Sequence, residues 1–508
     1  MALARAWSVG LLGVEGHLVD VEADLAQGLP GLALVGLPDA ALCEARDRVR
    51  AAVVNSGLHW PSRRITVGLG PAWLPKAGSG FDLAIAAAVL AADGAVPAEA
   101  VARRVLLGEL GLDGSVRHTR GVLPAVLAAA RAGRQRVVVP ISNAAEAGLV
   151  PGSTVEAVAS LAELIAVLRG KRHPRPVPKP ARSDAQIPGA PDLADVVGQD
   201  NARMALEVAA AGRHHLLLTG PPGAGKTMLA ERLPGILPAL DDGEALEVSA
   251  VHSVAGLLPA DAPLIRRPPL RAPHHSASLP ALVGGGGRVL RPGEISLAHH
   301  GVLFLDEAPE FARGMLDTLR QPLESGQVQI ARASGTARFP ARVLLVLAAN
   351  NCPCANPRPD ACTCSSVTRR RYLGRLSGAL LDRVDVRVTA LLIDRISLLG
   401  DGVPVETSAT VAARVADARA AAAQRFAGTS WRCNADVPGA ALRQRFRLPR
   451  AATAPLASAL DRGELTARGF DRCLRVAWTL ADLGGAQCPG LIEVHAALAM
   501  RQLTPLAA

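Results

Sequence analysis

Lysine and aromatic side chains are scarce in this chain. Four lysines occur (Lys76, Lys171, Lys179 and Lys226), and aromatics make up 3% of the residues, with a single tyrosine. The cores must therefore be built from Leu, Val and Ala, which a hydrophobic content of 49% supplies amply. Long apolar runs are also missing. The longest, Leu83–Ala92, stops at Asp93 and is too short to span a bilayer. The first residues, Met-Ala-Leu-Ala-Arg-Ala-Trp-Ser, lack a basic region followed by an apolar stretch and a cleavage site. These absences lead us to expect a soluble cytoplasmic protein with no membrane partner. The net charge of +10 is carried almost wholly by arginine. It permits nucleic-acid binding, although an arginine-rich genomic bias gives the same count. Of eight cysteines, Cys352, Cys354, Cys362 and Cys364 crowd into thirteen residues, which in a cytosolic chain favours metal over disulfides.

What is present centres on one stretch. Leu216-Leu217-Leu218-Thr219 leads into Gly220-Pro221-Pro222-Gly223-Ala224-Gly225-Lys226-Thr227, and a helix-like Met228-Leu229-Ala230-Glu231-Arg232-Leu233 follows. An apolar strand, a G-x-x-x-x-G-K-T loop and a helix form the P-loop pattern. Its backbone N–H groups cradle phosphates, Lys226 reaches the β- and γ-phosphates, and Thr227 ligates Mg²⁺. The helix start adds the positive end of its dipole. ATP and Mg²⁺ are the expected cofactors.

Eighty residues after Lys226, the apolar run Val302-Leu303-Phe304-Leu305 ends in Asp306-Glu307. An acidic pair at the end of a buried strand is the Walker B arrangement. Asp306 would hold Mg²⁺, and Glu307 would polarise the attacking water. A third apolar run, Val343–Ala349, ends at Asn350, whose amide can position the same water; the adjacent Asn351 competes for this sensor-1 role. Residues 326–343 read as a hairpin, with a turn at Ser334-Gly335-Thr336 and Pro340 placing one arm at an edge. Gly284–Gly287 reads as a mobile loop. The histidine pairs 274/275 and 299/300 read as packing and loop residues, because no Cys or acidic residue stands at zinc spacing from them. The pattern Cys352-x-Cys354-x₇-Cys362-x-Cys364 offers four thiolates for a tetrahedral zinc site, and Arg369-Arg370-Arg371 follows at once.

Around this core the chain divides into about three domains, as its length suggests. Residues 1–170 alternate β-like runs (Ile65–Leu69, Arg136–Pro140) with Ala-rich helical runs (Asp82–Ala92). Residues 171–191 form a linker rich in proline and basic residues. Residues 192–390 hold the nucleotide motifs, and 391–508 form a helical lid that includes Thr466 as the N-cap of a helix running to Leu483.

Two resemblances sharpen this division. Gly31–Pro38, Pro75–Asp82 and Gly108–Gly114 resemble the ribosomal-S5-like fold of the Lon protease domain. That family's serine would fall at Gly80. Ser79 is one residue out of register, and no lysine occurs from residue 77 to 170, so a Ser–Lys dyad is not available. Arg271–His275, Arg291–Glu307, Leu319–Glu324 and Arg375–Arg383 resemble the magnesium-chelatase-like YifB/ComM family of AAA+ proteins. Asn351 stands where that family often has proline. The resemblance implies an α/β chain with an S5-like α+β domain, a P-loop AAA+ core on a parallel sheet and a helical lid. It also implies a homo-hexameric ring in which Arg383 reaches a neighbour's γ-phosphate. Arg468, with Arg472 as the fallback, would reach back from the lid, and the segment Asp192–Gln199 would lie against the nucleobase. The 326–343 hairpin would point into the pore, where Arg332, Arg338 and Arg342, together with Arg369–Arg371, would meet phosphates without reading bases. The expected activity is that of an ATP-driven motor on single-stranded or branched DNA, promoting branch migration. The alternatives are an ATPase that remodels a protein complex, as the magnesium-chelatase subunit does, and a peptidase, which the missing lysine argues against.

Overall fold

The computed structural model describes residues 2–36, 42, 44–76, 78–177, 190–259, 261–286, 290–332, 335–356, 362–393 and 405–502. Most of the expected linker, Gly287, Ser334 and the middle of the cysteine segment lie outside these residues.

Strand β1 (Ala2–Leu12) turns at Gly13 into β2 (Glu15–Ala26), where Val19, Val21, Ala23 and Leu25 are buried at alternate positions. That period of two marks a sheet with one face fully covered. With β3 (Gly31–Val35), β4 (Arg64–Gly70), β5 (Val105–Leu106), β6 (Arg136–Pro140) and β7 (Thr154–Val158) they form a seven-stranded mixed sheet of order β3-β4-β2-β1-β5-β6-β7. Helices α1 (Ala45–Asn55), α2 (Asp82–Ala92), α3 (Val122–Arg131) and α4 (Leu161–Leu168) complete this α+β domain. Helix α2 is buried on every face, which explains why its sequence shows no polar stripe. Its one carboxylate, Asp82, accepts from Arg48 Nε at 2.8 Å and from the Leu110 amide at 3.2 Å.

The second domain is built on five parallel strands: β8 (Leu216–Thr219), β9 (Leu270–Arg271), β12 (Val302–Leu305), β15 (Leu344–Ala349) and β16 (Val386–Thr389), in the order β9-β12-β15-β8-β16. Strands β8, β12 and β15 are buried throughout, as unbroken apolar runs covered on both faces must be. Helices α5 (Asp200–Gly212), α6 (Lys226–Ile236) and α7 (Asp242–Ala255) belong to this domain. Two ribbons stand out from it. Residues Gly284–Gly285 (β10) pair with Arg291–Pro292 (β11), and β13 (Gln327–Arg332) pairs with β14 (Gly335–Pro340). The first corrects an expectation. Gly284 and Gly285 are not a loose loop; they are buried, paired backbone, and Ile330 of β13 packs beside Gly284.

The C-terminal region is helical: α9 (Ser408–Arg425), α10 (Arg450–Asp461), α11 (Ala467–Leu483) and α12 (Leu491–Ala499). Thr466 caps α11, its hydroxyl accepting from the Gly469 amide at 3.0 Å. These helices share one apolar core with a face of the five-stranded sheet. Much of the scarce aromatic content is spent here. Phe446 stands edge-on to Phe426, Trp431 and Trp478 at 5.7, 6.4 and 5.8 Å between ring centres. No helix among the described residues is long and apolar enough to cross a membrane.

The first two domains meet along a seam. Helix α7 packs on α3, Ser253 Oγ donates to Glu146 at 2.7 Å, and the backbone of Gly13 bridges that of Arg338 on β14. Gly13 has φ +70°, and a Cβ there would lie 2.5 Å from the Arg338 carbonyl oxygen. Gly57 has a similar φ of +77° but would meet nothing within 4 Å. Gly57→Ala should therefore cost only the left-handed penalty, about 1 kcal/mol. Gly13→Ala should cost at least about twice that, because the hairpin must also move. Equal losses in thermal unfolding would mean that the seam does not depend on this approach.

Candidate nucleotide site

The strand register assembles the site. Thr219 pairs with Ala349, and Leu305 pairs with Leu347, so β8, β15 and β12 all end at one edge of the sheet. Their next residues are Gly220, Asn350 and Asp306. The loop closes tightly over this edge: Gly220 has φ +152°, and a Cβ there would lie 2.4 Å from the Ala390 carbonyl oxygen. Helix α6 starts at Lys226, directly after the loop.

Lys226 Nζ donates to the carbonyls of Gly220 and Pro221 at 3.0 and 2.8 Å and to Asn350 Oδ1 at 2.9 Å. Burial pushes its pKa down, while the nearby carboxylates of Asp306 and Glu307 act in the opposite sense. Thr227 Oγ1 donates to Asp306 Oδ2 at 2.7 Å, and the other Asp306 oxygen accepts the Glu307 amide at 2.9 Å. A hydroxyl and a carboxylate in contact make a hard-oxygen pair that suits Mg²⁺. The structure thus brings Lys226, Thr227, Asp306, Glu307 and Asn350 together, and Asn350 is the amide that reaches Lys226.

One further residue belongs here that motif spacing did not reveal, and Gln199 closes the segment expected at the nucleotide. His275 Nδ1 lies 3.4 Å from the carboxylate of Glu307, whose own backbone is left-handed at φ +49°. The ring of His274 stacks on His275 at 4.0 Å. Gln199 bonds to the Ala224 carbonyl at 3.2 Å and accepts from the Leu391 amide at 3.3 Å, tying the phosphate loop to the end of the sheet.

The arginines lie in a different place. Arg383 and Arg468 line a recess of about 210 Å³ with Glu324, Asp382, Asp471, Arg472 and Arg475. Arg383 pairs with Glu324 and donates to the Ala379 carbonyl at 2.6 Å. Arg468 is exposed, with Asp382 at 3.8 Å. No phosphate-loop residue lines this recess. Arg472, the expected fallback, is occupied inside the chain. It pairs with buried Asp385 and donates to the Arg383 carbonyl at 3.0 Å. Burial alone would raise the pKa of Asp385, but Arg472 and His214 more than offset this and hold it well below the usual carboxylate range.

The remaining expected residues fall on two faces. Arg332 is exposed at the end of β13, and Arg338 is held through its backbone to Gly13. Arg369, Arg370 and Arg371 are exposed on α8 (Ser366–Leu373), whose N-cap is Ser365. The four cysteines converge just after Asn350, with all four sulfurs within 4.8 Å of one another. Their contacts include Cys352–Cys362 at 3.3 Å and Cys354–Cys362 at 3.6 Å. Four thiolates at ~2.3 Å around one zinc would stand about 3.8 Å apart, so seating the metal requires the Cys352–Cys354 pair, at 2.8 Å, to spread.

The histidine pair 299/300 does have an acidic partner, contrary to the spacing argument. Glu247, on α7, lies 3.0 Å from His299 Nε2 and 3.2 Å from His300 Nε2. His299 Nδ1 accepts the Arg342 amide at 3.0 Å, so in the neutral ring the proton sits on Nε2 and is donated to Glu247. Burial pushes the His299 pKa down to about 4, which keeps that ring neutral. In that tautomer both ring nitrogens of His299 are occupied, Nδ1 by the Arg342 amide and Nε2 by Glu247, while His300 Nε2 shares the same carboxylate. In the first domain, Ser79 donates to Glu109, and Lys76 donates to the Pro71 carbonyl. Neither is spent on the other.

Burial separates the two lid arginines. Arg472→Ala would strand the Asp385 carboxylate and should cost about 3 kcal/mol or more. Arg468→Ala should stay within about 0.5 kcal/mol of wild type. Thermal unfolding of the two variants decides this; similar losses would show that Arg472 is not the structural partner.

Comparisons with known proteins follow the same divisions. The chain matches the family described as magnesium chelatase, subunit ChlI, over residues 192–397. It also matches subunit ChlI of Mg-chelatase over 21–143 and the ChlI C-terminal family over 405–501. An uncharacterized protein of Mycobacterium tuberculosis is 56% identical over 99% of both chains. Competence protein ComM of Haemophilus influenzae is 41% identical over 96% of this chain and 95% of its own. The uncharacterized protein YifB of Escherichia coli is 42% identical over 95% and 94%. With the phosphate loop, the acidic pair and the sheet that unites them already in place, these matches show that the chain belongs to the magnesium-chelatase-like ComM/YifB family of AAA+-type ATPases.

Proposed function

We propose that this protein is a cytoplasmic ATP hydrolase that works as a hexameric motor on DNA, promoting branch migration or related remodelling of recombining strands. The observation that carries the hydrolase reading is the convergence of Lys226, Thr227, Asp306, Glu307 and Asn350 at one sheet edge. The DNA reading rests on likeness to competence protein ComM and on exposed arginines of the hairpin and of α8.

In this reading Lys226 exchanges its loop carbonyls and Asn350 for the β- and γ-phosphates. Thr227 and Asp306 hold Mg²⁺, which when bound neutralises charge on the transferred phosphoryl group. Glu307 takes hydrogen-bond donation from the attacking water, and Asn350 orients that water. Arg383 and Arg468, which share a recess apart from their own phosphate loop, serve the site of the neighbouring subunit, where a cation stabilises transition-state charge. The protein-remodelling alternative uses the same hydrolytic site and differs in the polymer engaged.

Hydrolysis measured with and without single-stranded and branched DNA tests this reading. DNA should stimulate turnover. Glu307→Gln should keep ATP binding and lose turnover by about 100-fold or more. Mixed rings of Glu307→Gln and Arg383→Ala chains should recover part of the activity. An unimpaired Glu307→Gln variant would overturn the hydrolytic assignment, and turnover indifferent to DNA would favour protein remodelling.

Zinc on Cys352, Cys354, Cys362 and Cys364 is the second part of the proposal. The site begins two residues after Asn350 and ends two residues before α8. It would brace the sensor strand against the basic helix. Metal analysis of purified protein should find one zinc per chain, lost on Cys→Ser change. A metal-free wild type of full stability would remove it.

A further inference from the structure

The S5-like domain has no dyad and no assigned role, yet a cavity of about 400 Å³ opens at its seam with the ATPase domain. That volume falls in the ~300–1,000 Å³ range of small-molecule pockets. Its apolar lining includes Leu11, Phe81 and Leu290. Its rim carries Arg120 from the S5-like domain, Arg291 from β11 and Arg332 from β13. These three arginines come from three separate segments, all are exposed, and none forms an ion pair among the described residues. The side chain of Arg120 lies over Gly256 at the end of α7, which directs it along the seam. The carboxylate in the lining, Glu109, already accepts from Ser79. Like charges gathered without acidic partners repel, and an anion bound among them removes that cost.

The position also argues for binding rather than chemistry. Gly80, where the Lon-like pattern would put its serine, lines the cavity and carries no nucleophile. A Cβ there would stand 3.3 Å from Thr119 Cγ2, so even a small side chain is crowded. The hydroxyl beside it is spent on Glu109, and no lysine lines the cavity.

We infer that this seam cavity seats one nucleotide unit of a single strand, with the base on the apolar lining and its phosphodiesters on Arg120, Arg291 and Arg332. The S5-like domain is then part of the nucleic-acid path. It grips the strand at the place where the hairpin and the first ribbon of the ATPase domain meet it. This rests on the reading above that the polymer is DNA, and it supplies the part of the path that lies outside the ATPase domain. The shared chemistry, a nucleoside phosphate, could also come from a free nucleotide, and the test separates the two sources.

Full-length protein with ADP filling the phosphate loop is titrated with a labelled oligo-thymidine strand at low salt. Arg120→Ala and Arg291→Ala should each weaken binding by about fivefold to tenfold. Each should also reduce the slope of log K against log salt by about 0.7, the value for one phosphate contact to a single strand. Arg120→Lys should retain most of the affinity. A strand carrying bromodeoxyuridine should cross-link to peptides containing residues 78–81 or 118–122. Wild-type affinity and slope in both alanine variants, or cross-links only to other peptides, would overturn the inference while leaving the DNA reading intact. A wild type that binds no strand at low salt overturns the DNA reading itself, and the strand seat with it. A second labelled adenine nucleotide per chain, lost in Arg120→Ala, would place a free nucleotide in the cavity and overturn the strand assignment.

Discussion

The parallel register of β12, β15 and β8 is the constraint on which the rest depends. The three strands are buried on both faces and apolar up to their last residues, where Thr219 ends β8, so the polar groups of the site stand where the strands stop. Pairing Thr219 with Ala349 stops β8 and β15 at one level, and pairing Leu305 with Leu347 stops β12 two residues short of it, which sets where Asp306 stands. A slip of one residue would move Asp306 by ~3.3 Å and exchange the faces of the whole strand. The Thr227–Asp306 bond of 2.7 Å could not survive it. Apolar burial and site geometry are in this sense one requirement, since the same interdigitated side chains that stabilise the sheet hold Thr227 and Asp306 in contact.

A second junction fixes the arginine face. Asp385 lies at the start of β16, fully inside the protein, and is held by Arg472 from the lid and by His214 Nδ1 at 3.2 Å. His214 in turn reaches Thr479 of α11 at 2.7 Å, and Asn434 reaches the same hydroxyl at 3.0 Å. Buried ionic groups of this kind contribute little net stability against apolar substitutes, yet their geometry admits few alternatives. Because Arg383 precedes Asp385 by two residues and its carbonyl accepts from Arg472, the lid helix sets where Arg383 stands.

Much of this was legible from local patterns. Unbroken apolar runs marked the buried strands, and glycine spacing marked the phosphate loop. The acidic pair and the asparagine were recognisable by standing at strand ends. The helix at Asp82–Ala92 and the cap at Thr466 were equally local. What could not be read depends on partners distant in the chain. Glu247 and His299 are separated by 52 residues, Arg472 and Asp385 by 87, and Gln199 and Leu391 by 192. No spacing rule connects such pairs, so Arg472 was kept as the fallback to Arg468 for reaching the phosphates, and Glu247 was missed. The Gly284–Gly285 ribbon was missed for a different reason. Glycine runs suit both a loose loop and a close backbone approach, and only the partner strand decides between them.

The hairpin shows how far topology goes beyond motif. Read alone, β13–β14 is an exposed element with arginines to offer. In the structure one end of it is joined by backbone to the β1–β2 turn, and its Ile330 packs on the ribbon β10–β11. That ribbon belongs to the same insert as Arg271, which is bonded to Glu294 at 2.9 Å, and as His275, which touches the carboxylate of Glu307. These contacts tie the β1–β2 turn to the hairpin and the hairpin to the ribbon, and His275 of the same insert lies against Glu307. Close-packed elements do not deform smoothly, so a displacement at one end must be taken up by a contact that can break. The contact between His275 and the half-exposed Glu307, at 3.4 Å, is open to solvent, whereas the backbone approach at Gly13 leaves no room for a Cβ.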